Sequence, residues 1–271
     1  MAVDMNLLKQ LRDTTFAPMK DCKEALDNAG GNLDAAIEFL KKKGALQAAK
    51  KADRETNEGM IKTLTKGNVV YAVKVVCETD FTSGNDLFKI LVQDLLDTVS
   101  THTSDIDSVD QLPADIAAKC ESLTQEFVGK IGENTKLVQV YIHTAPSKVI
   151  VYTHPGDKLV AILDYTATWD NGDAIAKQAA LQIAAMNPEF LSVDTIPADQ
   201  KDALKAQFAA EVAASGKPAE IVDKIVAGKL DKAFAENVLL EQSAIWDDSK
   251  KVKEFANGQA DLTNFVRISI W

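Results

Sequence analysis

Apolar positions in the first ~45 residues recur at helical spacing, in three short runs separated by breaks. Leu7, Leu8 and Leu11 make one face; Met19, Cys22 and Leu26 make a second, after the interruption at Phe16-Ala17-Pro18. Gly30-Gly31 ends that run, Asn32 offers an N-cap, and Leu33, Ala36, Ile37 and Leu40 make a third face that Gly44 is expected to close. The pattern predicts a three-helix module over residues 1–45. Residues 46–58 are polar and charged and read as a helical or extended linker.

From Met60 the period changes. Met60 to Thr65 and Val69 to Cys77 are β-rich runs joined by Lys66-Gly67-Asn68, a hairpin signal, and a helix follows with Leu87, Leu91 and Leu95 on one stripe and Phe88 and Val92 beside it. The same order returns later. Val149 to Thr153 and Leu159 to Tyr165 are strands joined by His154-Pro155-Gly156-Asp157, and a helix follows from about Asp173 to Met186, carrying Ile175, Ala179, Gln182 and Ile183. Between the two copies, Ala114 to Ile131 reads as a helix and Leu137 to His143 as a strand. Strand, turn, strand, loop, helix occurring twice predicts two related α+β subdomains, over 59–145 and 146–271.

After Pro197 the chain is Ala- and Lys-rich. Leu204, Phe208 and Val212 form a stripe, Ser215-Gly216-Lys217-Pro218 breaks it, and Ile221, Ile225 and Leu230 resume it, which predicts a helical hairpin over about 198–236. The pattern leaves open whether that hairpin projects as an arm or packs back on its own domain. Asn264 to Trp271 alternates as a closing strand.

Composition narrows the function classes. The 271 residues are 46% hydrophobic, with a formal net charge of −10. Nucleic-acid binders usually carry a basic stripe; here the basic runs are short (Lys41, Lys42 and Lys43; Lys50 and Lys51) and read as solvated helix ends, so protein partners are expected and direct nucleic-acid contact is not. No apolar stretch approaches the ~20 residues of a membrane helix. Cys22, Cys77 and Cys120 lie far apart, without metal-ligand spacing, and read as small buried thiols in a reducing compartment. The N-terminus shows neither a secretion signal nor an Arg-rich transit peptide, which points to a bacterial cytoplasm; a processed organellar protein would look similar. No P-loop, dinucleotide fingerprint or Ser-His-Asp ordering is visible, and only His102, His143 and His154 are present, so neither a cofactor nor bond-making chemistry is expected.

Two segments carry a resemblance. Leu7 to Gly44, LLKQLRDTTFAPMKDCKEALDNAGGNLDAAIEFLKKKG, is similar to the N-terminal module of the elongation factor Ts family, and Val76 to Phe81, VCETDF, is similar to its core signature. KIGEN at Lys130 to Asn134, HPGDKLVAIL at His154 to Leu163 and SGKPAEIVDKIVAGKL at Ser215 to Leu230 follow in family order. The fold that this implies is α+β: an N-terminal three-helix, UBA-like module, two related core subdomains and a helical hairpin arm inserted late in the chain. Departures from the family pattern are Thr15-Phe16-Ala17-Pro18 where Thr-Gly-Ala-Gly is usual, Val76 for Asn before the cysteine, Thr82-Ser83-Gly84 after the Thr-Asp-Phe triplet, and Pro155 for Gly after His154. Nothing follows Trp271, so the C-terminal helical module of longer members is expected to be missing.

The resemblance implies a guanine-nucleotide exchange factor whose partner is the GTPase elongation factor Tu. It implies a wedge role for Phe81, inserting between helices of the GTPase near its Mg²⁺ site, with Thr79 and Asp80 in the same signature and Asp80 disturbing the metal's surroundings rather than ligating it. It implies that His154 approaches the phosphate-binding loop, where a peptide flip removes an amide from the phosphate, and that Arg12 and Met19 dock the N-terminal module. Residue pattern alone offers plainer alternatives: Phe81 as a staple on its own helix, Asp80 as a helix cap, His154 as an exposed turn histidine, and Cys22 and Leu26 as module core. Two other functions stay open at this point, a general protein-interaction adaptor and a family member that binds without exchanging.

Overall fold

The structure is a computed structural model and describes residues 4–213 and 219–271. The expected break at Ser215-Gly216-Lys217-Pro218 lies outside the described residues. The fold is α+β and parts into two compact units: Met1–Thr144 with Pro155–Lys158 and Ser269–Trp271, and Ala145–His154 with Leu159–Ile268.

The first unit begins with α1 (Met5–Thr15), α2 (Met19–Asn28) and α3 (Leu33–Lys51). Leu8, Leu11, Cys22, Ala25, Leu26 and Ala36 close a small core, the faces that helical spacing predicts. Asp4 and Asn32 cap α1 and α3, accepting the Asn6 and Ala35 amides at 2.8 and 3.0 Å. Gly44 does not end the third helix. It lies buried inside α3, where α6 (Ala114–Ile131) crosses. A Cβ on Gly44 would stand 2.9 Å from the Gln125 carbonyl oxygen, and one on Gly129 would stand 3.0 Å from the Gly44 Cα. The glycine therefore permits a close helix crossing instead of stopping a helix. The first part of the expected linker is consequently helical, through Lys51. The chain beyond it is strapped to the unit by the Asn134 side-chain amide, which donates to the Arg54 carbonyl at 2.7 Å.

Phe16 terminates α1 in the left-handed region, φ 56° and ψ 12°, its amide donating to the Arg12 carbonyl. A β-carbon in that conformation costs about 1–2 kcal/mol, and glycine is the default residue there. The ring is 59% exposed, so it recovers little by packing. Phe16→Gly is expected to stabilise the three-helix region by about 0.5–1 kcal/mol, the strain relief being partly offset by unfolded-chain entropy. Chemical denaturation read by helical circular dichroism measures this, and a loss of stability would mean that the ring packs.

A three-stranded antiparallel sheet follows, in the order β1 (Glu58–Lys66), β2 (Val69–Cys77), β3 (Thr135–Thr144). Lys66 pairs with Val69, leaving Gly67 (φ 64°) and Asn68 as the two-residue turn. The short helix α4 (Asp80–Ser83) and then α5 (Asp86–Val99) lead away from β2. Phe88, Val92, Leu95 and Val99 of α5 pack on Val73, Val75 and Val140 of the sheet, and Phe88 meets Phe127 of α6 edge-on at 5.7 Å.

The second unit repeats the plan. Its sheet runs β4 (Lys148–Thr153), β5 (Leu159–Ala167), β8 (Ala260–Ser269), and α7 (Gly172–Met186) covers it through Ala176, Ala179, Ala180 and Ile183. In both copies, the strand that completes the sheet adds to the second strand of the hairpin. Gln182 is a fully buried polar residue of α7: its amide donates to Gln242 Oε1 (3.0 Å) and the Ser243 carbonyl (3.1 Å), and its Oε1 accepts the Ile245 amide (2.8 Å). These bonds fix the small ribbon of β6 (Ser243–Ala244) and β7 (Asp247–Lys251) that precedes α10 (Val252–Ala256).

The repeat extends further than hairpin and helix. Ser108-Val109-Asp110-Gln111-Leu112-Pro113-Ala114-Asp115 and Ser192-Val193-Asp194-Thr195-Ile196-Pro197-Ala198-Asp199 each form a 3₁₀ turn with a serine capping box, then a proline that opens a helix. The helices opened are α6 and α8 (Ala198–Ala213), which therefore hold equivalent places. In the first unit α6 packs on α3; in the second, α8 packs on α9 (Ala219–Asn237). Lys229 of α9 pairs with Glu211 of α8 and lies over the Phe208 ring. Val212 and Val226 are buried there, whereas most described residues of α8 are exposed or half-buried. The two helices are chiefly each other's partners, the arm-like alternative of the two that the pattern left open.

Candidate functional site

The Thr-Asp-Phe signature occupies the first turn after β2. Cys77 and Thr135 form the last pair of the β2–β3 ladder, and Thr79 then caps α4, its hydroxyl oxygen accepting the Thr82 amide at 3.3 Å. Asp80 opens α4 with an exposed carboxylate that accepts the Phe81 amide at 2.9 Å. Phe81 is 86% exposed. The staple alternative is thereby overturned: the ring lies away from its own helix, while its neighbours Thr82 and Ser83 are buried and tie the turn down. Of the three substituted positions after the signature, Thr82 and Ser83 thus face the interior, where Ser83 Oγ donates to the Asp80 carbonyl at 3.1 Å, and Gly84 is exposed. A second helix cap, Asn85, starts α5 by accepting the Leu87 amide at 2.8 Å.

Several groups behind the turn hold it. The Thr79 amide and hydroxyl both donate to the Glu133 carboxylate, at 3.1 and 2.8 Å. Glu78 Oε1 accepts the Asn134 amide at 2.6 Å and faces the Arg54 guanidinium at 3.4 Å. The Cys77 thiol donates to the Thr79 carbonyl at 3.3 Å. Burial, reinforced by the negative charge of Glu133, pushes that thiol up to about 12, so it stays protonated and serves as a small packed donor. The result is a large exposed aromatic on a short backbone whose amides and side chains are almost all committed. The family resemblance points to Thr79, Asp80 and Phe81 but not to Glu133, Glu78 or Asn134 as supports. The KIGEN stretch is the signal available, and only the ladder register shows what it lies against.

The other candidate residues stand on their own elements. Arg12 is exposed on α1, and Met19 is 44% exposed at the start of α2, whereas Cys22 and Leu26 are core. Burial, with the Asp21 charge nearby, raises the Cys22 thiol above its ordinary value against the opposing Thr15 hydroxyl contact. His154 is exposed and belongs to the second unit, at the end of the β4–β5 hairpin, where its amide donates to the Leu159 carbonyl at 2.9 Å. Gly156 (φ 94°) and Asp157 (φ 56°) make the reversal. The Tyr152 hydroxyl lies 3.0 Å from His154 Nδ1, and the two rings meet edge-on at 6.1 Å. With the phenol as donor, Nδ1 is the unprotonated nitrogen and Nε2 carries the N–H. Among the described residues, no helix is long and apolar enough to cross a membrane.

Known proteins match the span that carries this turn. The sequence model of the family described as Elongation factor TS matches residues 78–270. The chain is 37% identical over 276 residues to elongation factor Ts of a Hydrogenobaculum species, covering all of this chain and 99% of that protein. It is 38% identical over 290 residues to elongation factor Ts of a Nitratiruptor species, covering all of this chain and 93% of the relative. This chain belongs to the elongation factor Ts family. A third relative, elongation factor Ts of Aquifex aeolicus, is 37% identical over 270 residues, with 94% of this chain and 92% of its own length aligned. Alignments that take in all or nearly all of the chain extend the kinship past the matched core to the three N-terminal helices, and they give it the role of a translation elongation factor.

Proposed function

We propose that this protein is the guanine-nucleotide exchange factor of elongation factor Tu, and that it works by displacement, without making or breaking a bond itself. The observation that carries the reading is Phe81: an apolar ring 86% exposed on a turn most of whose amides are hydrogen-bonded, within the span that the family model matches. A rigid exposed aromatic suits a pocket on a partner, where such anchors dominate binding energy.

A GTPase holds GDP with backbone amides around the phosphates and a Mg²⁺ ion that keeps several of its waters. Phe81 enters between helices near that ion, and the Asp80 carboxylate beside it disturbs the electrostatic surroundings of the metal without ligating it. His154, its ring oriented by Tyr152, approaches the phosphate loop and favours the peptide orientation that withdraws an amide from the phosphate. Arg12 and Met19 dock the three-helix module on the GTPase domain. Factor and nucleotide therefore weaken each other by the same factor, because binding free energies are linked.

The test is the affinity of a fluorescent GDP analogue for elongation factor Tu from the same source, measured with and without saturating protein. A coupling of about 3 kcal/mol predicts roughly 150-fold weaker nucleotide binding, with faster release. Complex formation that leaves nucleotide affinity unchanged would reduce the protein to a binding partner.

A further inference from the structure

Resting on the exchange reading, we propose that Glu133 is the positioning residue of the Phe81 turn: it sets the backbone from which the wedge projects, without itself meeting the GTPase. The ladder between β2 and β3 ends at the pair Cys77 and Thr135. Beyond that pair the two chains have no further backbone bonds to share, yet their side chains continue the pairing reciprocally. Glu78 accepts the backbone amide of Asn134 at 2.6 Å, and Glu133 accepts the backbone amide of Thr79 at 3.1 Å. Each segment lends a carboxylate to the other's main chain.

Glu133 has a second bond with consequences for Phe81. Its Oε1 accepts a hydrogen bond from the Thr79 hydroxyl at 2.8 Å. A threonine hydroxyl has one proton and two lone pairs. Once the proton is committed to Glu133, a lone pair of the same oxygen is left to face the Thr82 amide, which it accepts at 3.3 Å. That bond is the N-cap of α4, a helix of four residues, Asp80–Ser83. A single turn cannot sustain itself, because nucleation fixes several dihedrals for each bond gained. Its geometry depends on the cap, and the cap's rotamer depends on Glu133. Phe81 is the second residue of this turn.

Glu133 is in turn placed by the end of α6. Gly132 takes φ 87° to close that helix, and its carbonyl accepts the Lys51 ammonium, so the residue that follows is delivered to the sheet edge from a fixed point. The side chain is half-buried behind the turn while Phe81 is exposed in front of it. A wedge held in this way loses little freedom on entering a partner, and the binding energy is not consumed in ordering it.

The experiment compares Glu133→Ala, Glu133→Gln, Phe81→Ala and the double variant Glu133→Ala/Phe81→Ala in the full chain. Two readouts are taken: stimulated release of the GDP analogue, and amide hydrogen exchange across residues 78–84. Glu133→Ala is expected to slow stimulated release roughly ten-fold, with Glu133→Gln partly restoring it because one oxygen acceptor remains. In the Phe81→Ala background the same change is expected to add less than about two-fold, since no ring is left to position. The amides of Thr79 and Thr82 are expected to exchange faster in Glu133→Ala, with protection of the β1–β2 ladder unchanged. A full ten-fold loss on top of Phe81→Ala overturns the proposal, because Glu133 then acts on the fold or on the GTPase directly. Unchanged amide protection at Thr79 and Thr82 overturns it as well. Absence of stimulated release with the unaltered protein is a failure of the exchange reading, and the amide readout still decides the role of Glu133 in the turn.

Discussion

Phe81→Ala is expected to slow stimulated GDP release from elongation factor Tu by roughly 30- to 100-fold while leaving the stability of the free protein within about 0.5 kcal/mol of its starting value. The two expectations come from the same observation. At 86% exposure the ring buries almost nothing in the free protein, so its removal opens no cavity and unpairs no polar group. The supports of the turn reach it through Thr79, Thr82 and Ser83, none of which the substitution touches. The ring's free energy must therefore be realised in the complex if it is realised anywhere, and a buried aromatic anchor typically contributes about 2 kcal/mol or more there. Stopped-flow release of a fluorescent GDP analogue measures the first quantity, and thermal unfolding the second. Phe81→Leu should fall between the two proteins in rate, since it keeps apolar volume but loses the ring. Release by Phe81→Ala as fast as by the unaltered protein would take the ring out of the mechanism, leaving the contacts proposed for His154 and the N-terminal module to account for exchange.

Residue spacing suffices to read the longer regular elements, because apolar positions recur along them. The three N-terminal stripes, the Gly67-Asn68 hairpin and the helix through Phe88 and Val92 are all visible in residue spacing and found in the structure. Gly44 misleads for a physical reason: the same missing β-carbon serves a helix end or a close crossing, and only the presence of Gly129 on α6 distinguishes them. The two Ser-Val-Asp turns that precede α6 and α8 are a sequence repeat, yet their meaning as capped helix entries emerges only once both boxes are seen to close. At the candidate site the signature is legible as a string, but the exposure of Phe81 is not. An apolar residue at a strand–helix junction suits a staple as well as a wedge, and which it becomes depends on Thr82 and Ser83 turning inward. Glu133 is illegible for a related reason. It lies more than fifty residues from Thr79 and meets it only through the register of β2 with β3.

The pairing of β1 with β2 makes Gly59 a position at which the first sheet tolerates no side chain. Gly59→Ala is expected to destabilise the first unit by about 3 kcal/mol or more, or to prevent its folding. Gly59 is the second residue of β1 and lies opposite Val76, with φ 156°. A β-carbon there would stand 2.2 Å from the Val75 carbonyl oxygen, 2.9 Å from the Val76 Cα and 3.1 Å from the Val75 carbonyl carbon. All three are backbone atoms of β2, the central strand, which is bonded to β3 on its far side. No rotamer change relieves the contact: β1 must peel away from β2, or β2 must shift and disturb the Cys77–Thr135 pair from which the Phe81 turn departs. Gly67→Ala has φ 64° but nothing within 4 Å, so it carries only the left-handed penalty of about 1–2 kcal/mol. Gly228→Ala, inside α9 with no atom within 4 Å, should gain about 0.5–1 kcal/mol from helix propensity. Urea unfolding of the three variants is expected to order them with Gly228→Ala most stable, Gly67→Ala next and Gly59→Ala least stable. A Gly59→Ala protein as stable as the Gly67→Ala one would mean that β1 can move without loss. The close packing of β1 on β2 would then not be what holds the exit of β2, and with it the Phe81 turn, in place.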